Sequence, residues 1–391
     1  MSKDRKKWSI LLALGLTICS TLTGCGGKKE IKTVNVKVQE ASKIVIPVKD
    51  KDSFYYIDAN GKKLFDKEFS YAGAFQDGMA VVEKKGKTGY IDTKGNYCVK
   101  PIYDQGSDMT NGYAVVEKNG QYGYIKQSGT IAIEPRYEEA YTFAKNGLAR
   151  IKRNGKYGFI NAQGEEVIKA VYLTASDFDG HGNAIVQTKS GYGAIDQKGV
   201  QTVACQYDSM GAFSKDGLAL ICQNDLYGYV DRTGTVIVKP KYENARDFGD
   251  NKMAAVFRAT RWCYINTNGK EVLKPTYVKA WDFVGGRALF QKNKKFGYLG
   301  TDFEYAIDPD YEKAREFSEN GLAVVCMDGK FGVIDRYGNQ IAKAEYNDIQ
   351  DFGDTGYTIV QKNGKYGIMN AKGKITAKIQ YQAIGAISAI N

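Results

Sequence analysis

The sequence predicts an all-β protein built from about ten tandem antiparallel units. Three observations support this prediction. An aromatic-Gly dipeptide recurs every 34 or 35 residues, and Gly-containing turn pairs recur between its copies. The chain is also rich in Tyr and Phe, with 28 and 17 residues, but has only three Trp. Tyr and Phe suit the half-buried, pleated surface of a strand. A period of this length is typical of repeat proteins in which neighbouring units share one core.

We call the second residue of the recurring dipeptide the comb position. The comb positions are residues 55, 89, 123, 158, 193, 228, 263, 297, 332 and 367. Seven of the ten dipeptides read Tyr-Gly or Phe-Gly, and the others are Phe54-Tyr55, Thr88-Gly89 and Trp262-Cys263. The ten units therefore fill the chain from about residue 44 to residue 391.

Each unit follows the same order of elements. An apolar run forms the first strand, and a pair such as Asn119-Gly120 then forms a tight hairpin, because both residues tolerate positive φ. The comb dipeptide opens the second strand, where the Gly suits a bulge or a close backbone approach. An Asp or Asn with a Gly three residues later, as in Asp92 and Gly95, predicts a turn. A third strand follows and often closes at a Pro, so each unit is a three-stranded antiparallel meander.

Two large side chains recur in the segment that connects one unit to the next. A Tyr stands 14 residues past nine of the comb positions, at residues Tyr103, Tyr137, Tyr172, Tyr207, Tyr242, Tyr277, Tyr311, Tyr346 and Tyr381. Phe69 replaces it in the first unit. Six residues further on, most units carry a Phe, at Phe75, Phe143, Phe178, Phe213, Phe248, Phe283, Phe317 and Phe352. One unit buries too little surface to fold alone, so we expect these rings to fill the seams between units.

The combined pattern resembles the bacterial WG-repeat family. It reads Gly-Leu-Ala-x-Val, then Asn-Gly-Lys-Tyr-Gly-x-Ile-Asp-x-x-Gly, and finally the recurring Tyr and Phe. The resemblance covers roughly nine tenths of the chain and implies a β-rich repeat, with no enzymatic role assigned to the repeat itself. Two departures fall together between residues 252 and 320: Trp262 precedes Cys263 instead of Gly, and Phe303 stands where other units have the turn Gly. They mark either a bend or binding region or, in our preferred interpretation, drift at dispensable positions.

The arrangement of the units is predicted less directly. Closed propellers usually have four to eight blades of four strands, with 40 or more residues in each blade. Ten units of three strands and 35 residues therefore favour an open, superhelical, solenoid-like array. A closed β-propeller-like ring or a double propeller is the alternative.

The N-terminal residues predict export and lipidation. Four basic residues between Lys3 and Lys7 precede an apolar run, and Leu22-Thr23-Gly24-Cys25 resembles a bacterial lipobox. This resemblance implies cleavage before Cys25 and a diacylglyceryl group on its thiol. We therefore divide the chain into a signal peptide (1–24), a lipidated N-terminus and flexible linker (25–43), and the repeat array (44–391). The alternative is an ordinary secretory signal with a chance Cys.

Charge gives weaker guidance on partners. The formal net charge of +11 becomes +8 once the leader, with four basic residues and one Asp, is set aside. This excess could attract an anionic wall polymer, anionic lipid or nucleic acid. It is spread along the repeats without a basic block, which indicates an ordinary solvated surface, and we expect no nucleic-acid partner.

No catalytic or metal-binding motif is evident. The sole His, His181, precedes Gly182 in a predicted turn and has no nucleophile or ligand motif near it. The recurring Asp residues supply one oxygen each, whereas a calcium loop needs several within a few positions. Past Cys25, the five remaining Cys are too widely spaced for a zinc site or a disulfide framework, and we interpret them as small strand residues. We expect no cofactor and no metal.

These observations predict a non-enzymatic scaffold of the bacterial cell envelope. It would be held outside the cell membrane by Cys25 and would bind another envelope protein or a wall polymer through its repeat face. The rival hypothesis is a carbohydrate-binding or hydrolytic wall protein that uses exposed aromatic rings and an unrecognised pair of carboxylates. The recurring Tyr are explained by packing, so the sequence leaves the ligand-binding residues unknown.

Overall fold

The computed structural model describes residues 39–40, 43–249, 251–277 and 279–390. These residues form 40 β-strands in ten four-stranded antiparallel sheets, which we call blades 1 to 10. No described segment is a helix with the length and apolar character needed to cross a bilayer. The all-β class and the tandem repeats are therefore confirmed.

Blades 1 to 5 contain the following strands. Blade 1 has β1 (Ile44–Asp50), β2 (Ser53–Ile57), β39 (Ala383–Ile384) and β40 (Ser388–Ala389); blade 2 has β3 (Tyr71–Gln76), β4 (Met79–Lys84), β5 (Lys87–Asp92) and β6 (Tyr97–Tyr103); blade 3 has β7 (Gln105–Gly106), β8 (Tyr113–Lys118), β9 (Gln121–Lys126) and β10 (Ile131–Tyr137); blade 4 has β11 (Glu139–Ala140), β12 (Ala149–Arg153), β13 (Lys156–Ile160) and β14 (Glu166–Tyr172); blade 5 has β15 (Thr174–Ala175), β16 (Asn183–Thr188), β17 (Gly191–Asp196) and β18 (Gln201–Tyr207).

Blades 6 to 10 continue in the same order. Blade 6 has β19 (Ser209–Phe213), β20 (Leu218–Gln223), β21 (Leu226–Asp231) and β22 (Val236–Tyr242); blade 7 has β23 (Asn244–Ala245), β24 (Met253–Arg258), β25 (Arg261–Asn266) and β26 (Glu271–Tyr277); blade 8 has β27 (Lys279–Val284), β28 (Arg287–Lys292), β29 (Lys295–Leu299) and β30 (Tyr305–Tyr311); blade 9 has β31 (Lys313–Ala314), β32 (Leu322–Met327), β33 (Lys330–Asp335) and β34 (Gln340–Tyr346); blade 10 has β35 (Asp348–Ile349), β36 (Tyr357–Lys362), β37 (Lys365–Asn370) and β38 (Ile375–Tyr381).

The predicted turns form as their residue types require. Asn119 and Gly120 have φ of 53° and 74°, the left-handed values of a primed hairpin turn. In the second turn, the Asp92 carboxylate accepts hydrogen bonds from the backbone N–H groups of Lys94 and Asn96 at 2.9 and 2.7 Å. Gly95 takes a φ of 81° there. These local features determine where each strand of a blade ends.

The comb Gly makes room for a bulge in the neighbouring strand. A Cβ added to Gly228 would lie 2.3 Å from the carbonyl oxygen of Val238 and 2.7 Å from the nitrogen of Pro240. The register between β21 and β22 shifts at this point. The prediction that the third strand closes at the Pro is wrong by two residues, since β22 continues to Tyr242. The bulge tolerates a residue without a backbone N–H.

Each blade has one strand more than the three predicted. The additional strand comes from the segment that was predicted to be only a connection, and in blade 7 it is β23, which pairs with β24. In most blades this strand has only two residues, too few to produce an alternating sequence pattern. The unit is therefore a four-stranded blade of the kind found in propellers.

The ring is closed by strands from the two ends of the repeat region. Within blade 1, β1 pairs with β39 and β40 as well as with β2. The hydroxyl of Ser388 donates to the carbonyl of Val45 at 3.0 Å and accepts from the N–H of Phe75 at 3.1 Å. The closed ring, which was the alternative prediction, is therefore the observed arrangement, and the open array is not.

A separate apolar cluster fills each seam between adjacent blades. One of them joins Tyr229 and Tyr242 of blade 6 to Phe248 and Val256 of blade 7. Another joins Ile44 and Ile46 of blade 1 to Tyr357 and Tyr381 of blade 10, so the closing seam is packed like the others. Ten such clusters among the described residues account for the ten seams. The predicted role of the recurring Tyr and Phe as seam residues is confirmed at most of these positions.

Candidate functional site

At six of the seams, a buried Tyr hydroxyl links one blade to the next. The residue after the comb position is Tyr in six units, and its hydroxyl donates to the backbone carbonyl 17 residues later, in the next blade. At three consecutive seams the donors Tyr229, Tyr264 and Tyr298 hold the carbonyls of Arg246, Trp281 and Arg315 at 2.6, 2.6 and 2.7 Å, respectively. In these six units, the bond fixes the backbone of the residue 18 positions past the comb position.

The side chains at that position and the next one differ strongly between blades. We call residues 18 and 19 past each comb position the cleft positions. At the first of them the residues are Gly73, Ser107, Tyr141, Ser176, Gly211, Arg246, Trp281, Arg315, Gln350 and Gly385. At the second they are Ala74, Asp108, Thr142, Asp177, Ala212, Asp247, Asp282, Glu316, Asp351 and Ala386. Blades 7 to 10 each have a large residue at the first cleft position and an acidic residue at the second, and no other blade has both.

These side chains border a cleft of about 660 Å³, which we call the Trp281 cleft. Its lining comes from four consecutive blades and consists of Arg246, Trp281, Leu289, Phe296, Ala314, Arg315, Glu316, Phe317, Ser318 and Asp351. The Trp281 and Phe296 rings lie 5.9 Å apart between centroids at an angle of 54°. The cleft therefore has an aromatic wall and several charged groups.

Arg246 lies close to two tryptophan rings. Its guanidinium carbon is 5.5 Å from the centroid of Trp262 and 5.5 Å from that of Trp281. Cation–π attraction at such distances contributes about 0.5–2 kcal/mol. The Nε of Arg246 is buried and has no hydrogen-bond partner within the described part of the chain. Both Trp residues of the repeat array thus contact one Arg in blade 7.

Arg315 is held by blade 10. Its Nη1 donates to the carbonyl of Ile349 at 2.7 Å, and its Nη2 lies 2.9 Å from Oδ1 of Asp348. A longer contact of 3.4 Å joins Nη1 to Oδ1 of Asp351. The charge of Arg315 is consequently neutralised within the protein, and its guanidinium is fixed at the rim of the cleft.

The carboxyl groups beside Arg246 are less well compensated. Burial, aided by the charges of Glu316 and Asp247, raises the pKa of Asp282 to about 7 despite the opposing effect of Arg246. The Oδ1 atom of Asp282 is buried without a hydrogen-bond partner among the described residues. Burial among the blades also raises the pKa of Asp247 and Glu316, although both side chains reach solvent. This arc of the ring therefore carries unneutralised acidic groups.

The residues considered from sequence lie elsewhere. Cys25 is outside the described residues. His181 is exposed in a turn, where its backbone N–H donates to the Asp179 carboxylate at 2.8 Å. The described part of the chain contains no group of three or more His, Cys, Asp or Glu placed to hold a metal ion. The five free Cys lie within strands, at Cys98, Cys205, Cys222, Cys263 and Cys326, as predicted.

Sequence reasoning missed the Trp281 cleft. It treated the two departures between residues 252 and 320 as drift, whereas the structure places Trp262 against Arg246 and Phe303 against Tyr264, with ring centroids 5.4 Å apart. Phe303 occupies the left-handed region at a φ of 64°, so packing outweighs its backbone strain. Comparing the ten units at the two cleft positions would have provided the missing signal.

The fold and the site define a class of protein: a closed ten-bladed β-propeller whose constant residues build the blades and whose variable residues collect at the cleft positions. The sequence model of the WG-containing repeat matches ten consecutive segments of the chain. They are residues 56–87, 89–122, 122–157, 157–191, 192–227, 227–257, 262–296, 296–331, 331–366 and 366–389. The chain therefore belongs to the WG-repeat family.

Comparison with one solved structure supports the fold. A crystal structure of a eukaryotic initiation factor is similar with a TM-score of 0.55 and 9% sequence identity, over 88% of this chain and 97% of that one. The Hsv2p structure from Kluyveromyces lactis is similar at a TM-score of 0.37 and 10% identity, over 63% of this chain and 97% of that one. No curated protein matches the sequence significantly. At these identities the likeness concerns the fold alone.

Proposed function

We propose that this protein is a non-enzymatic interaction scaffold of the bacterial cell envelope, held at the membrane by a lipid on Cys25, and that its ring binds another envelope protein. The observation that carries the proposal is the contrast between constant and variable positions in the ten units. The constant positions build hairpins and seams, whereas the variable charged and aromatic residues concentrate in one arc of the ring. Such a distribution is expected of a rigid binding platform.

The charge of this arc favours a protein partner over an anionic wall polymer. Four consecutive blades place Asp247, Asp282, Glu316 and Asp351 at the same repeat position. A polymer of repeating negative charge would be repelled there, although the chain as a whole is basic. A protein partner can place cationic and apolar groups side by side, as this surface requires.

The test uses the full-length chain in detergent as bait. It is immobilised and exposed separately to detergent-solubilised envelope and to purified cell wall. The expected result is one discrete protein that stays bound at about 0.5 M salt, where exposed charges are largely screened. Retention by the wall alone, lost in salt, would contradict a protein partner. Labelling with a radioactive fatty acid, present in the unaltered chain and lost in Cys25→Ala, tests the lipid anchor separately.

The hydrolytic alternative has one specific observation in its favour. An acid with a pKa near 7, such as Asp282, beside further carboxyl groups is the kind of group that donates a proton in glycoside hydrolysis. Incubation of the pure protein with wall glycan tests this alternative. Turnover that disappears in Asp282→Asn would support an enzyme and would refute the scaffold proposal.

A further inference from the structure

The Trp281 cleft combines features that recognise an organic cation. Trp281 and Phe296 form an aromatic wall, and aromatic faces attract ammonium and guanidinium groups. Glu316 and Asp351 lie at the same cleft and carry the opposite charge. A cationic side chain that enters between them would contact ring faces and carboxylates together.

The carboxyl groups here lack the partner that other acids of this chain have. Glu139 on blade 4 accepts hydrogen bonds from Lys152 at 2.6 Å and from two Tyr hydroxyls. Its pKa is lowered to about 2, mainly by the bond from Lys152. The opposite effect is found for Glu316, which lines the Trp281 cleft, and for Asp282, which follows Trp281 in the chain: burial raises the pKa of both. The Oδ1 atom of Asp282 has no partner within the described residues. One further positive charge would be stabilised there.

The two arginines at the cleft, Arg246 and Arg315, do not supply this further positive charge. Arg315 is bound to Asp348, Asp351 and the carbonyl of Ile349. Arg246 lies within cation–π distance of Trp262 and Trp281, and its charge acts on both Asp282 and Glu316. The single guanidinium of Arg246 does not balance both Asp282 and Glu316, so this part of the ring keeps a net negative charge. The protein outside the leader is positively charged overall. An anionic ligand would have to displace these internal pairs.

We propose that the Trp281 cleft is the docking site for a lysine- or arginine-bearing segment of the partner protein, with Trp281 against the cationic side chain and Glu316 paired with its charge. This inference rests on the proposed scaffold function and specifies the chemistry of its partner. Backbone carbonyls fixed by Tyr264 and Tyr298 hold the cleft in place before binding, which reduces the ordering cost of association.

The test measures binding of fluorescein-labelled octalysine to the full-length chain in detergent at about 0.15 M salt, with octaglutamate as the opposite probe. We expect octalysine to bind and octaglutamate to bind more weakly. Trp281→Ala should weaken octalysine binding about tenfold, which corresponds to about 1.4 kcal/mol. Glu316→Gln, which keeps the size of the side chain and guards against a folding defect, should weaken it by about threefold or more.

The matched control is Asp108→Asn. Asp108 occupies the same repeat position as Glu316, but in blade 3 and away from the Trp281 cleft. Its substitution should leave octalysine binding unchanged. Equal weakening by all three substitutions would reveal only a general electrostatic field and would overturn the proposed site. Preference for octaglutamate, or unaltered octalysine binding in Trp281→Ala and Glu316→Gln, would overturn it as well.

The same variants separate this inference from the scaffold function. An envelope protein retained equally by the unaltered chain and by Trp281→Ala and Glu316→Gln would leave the scaffold function standing and refute the cleft as its docking site. Octalysine binding at the cleft without capture of any envelope protein would support the cation site and contradict the scaffold function.

Discussion

Two buried tyrosines at one seam differ in what their hydroxyl groups do. Tyr229 donates a hydrogen bond of 2.6 Å to the carbonyl of Arg246, which crosses from blade 6 to blade 7. Tyr242 lies in the same apolar cluster, yet its hydroxyl is buried with no partner in the described part of the chain. An unpaired buried polar group costs free energy that a paired one does not. The two residues therefore offer a matched comparison.

Removal of one oxygen atom should have opposite effects at the two positions. Tyr229→Phe should lower the free energy of unfolding by about 1–2 kcal/mol, because the carbonyl of Arg246 loses its donor. Tyr242→Phe should leave stability unchanged or raise it by up to about 1 kcal/mol. Urea unfolding of both variants measures the difference, and an equal loss of stability would contradict the role assigned to the inter-blade bond.

Asp282 should make stability depend on pH. Its pKa is about 7 in the folded protein, against an ordinary value of 3.8. At a pH between these two pKa values, Asp282 keeps its proton in the folded state but has lost it in the unfolded state. The stability contributed by Asp282 should therefore fall as pH rises from about 4 to 7. Burial is the main cause; Glu316 and Asp247 also raise this pKa, whereas Arg246 and the backbone N–H of Ala255 lower it.

Asp282→Asn should remove this dependence. The variant should be more stable than the unaltered chain at pH 7.5, by on the order of 2 kcal/mol, and the gap should narrow towards pH 4. Thermal unfolding followed across this range measures the effect. A gap that widens on acidification would show that Asp282 is ionised and paired in the folded state.

At the scale of one element, the second and third strands of a blade depend on the comb Gly. The backbone of β22 bulges over Gly228, and no room remains for a side chain. Cys263 occupies the comb position of blade 7, where β25 and β26 keep the same bulged pairing. Blade 7 thus carries a side chain at the comb position, whereas blade 6 leaves no space for one.

Gly228→Ala should consequently destabilise blade 6. The added methyl group would lie 2.3 Å from the Val238 carbonyl oxygen, so the strand must shift, at a cost of about 1–3 kcal/mol or more. Gly353→Ala is the control, because a methyl group added there would have nothing within 4 Å of it. Thermal unfolding of both variants tests this prediction; similar midpoints would mean that the close approach costs little.

At the scale of the whole molecule, closure converts a linear array into a ring. A linear array of repeats leaves an unpaired, exposed face at each end. Here β1 is covered by blade 2 on one side and by blade 10 on the other. The hydroxyl of Ser388 connects strands from both ends of the repeat region to Phe75 of blade 2. Stability of blade 1 therefore depends on contacts between residues far apart in sequence.

Ser388→Ala should loosen this closure. The variant loses two buried hydrogen bonds and leaves the N–H of Phe75 unpaired, which should cost about 1–3 kcal/mol. Hydrogen exchange should accelerate in β1 and β40 and remain unchanged in blade 5. His181→Ala, in an exposed turn, should alter neither exchange nor unfolding midpoint. Uniform acceleration around the ring would indicate that the blades unfold as one unit.

The sequence by itself determined the repeat, its hairpins, its turns and its seam residues. Asn119-Gly120 and Asp92 act within a few residues, and the periodic Tyr and Phe act in every unit, so a pattern along the chain suffices to predict them. The ten units, the family and the buried seams follow from that pattern.

Only the tertiary structure decided the fourth strand, the closure and the cleft. The two-residue strand β23 is too short to leave a periodic signal. Closure depends on the rotation between packed blades, which accumulates around the ring until β1 meets β39 and β40. Arg246, Trp281 and Arg315 share one repeat position in three consecutive blades. The repeat pattern aligns them, but only the packing of those blades shows that this position borders a cleft.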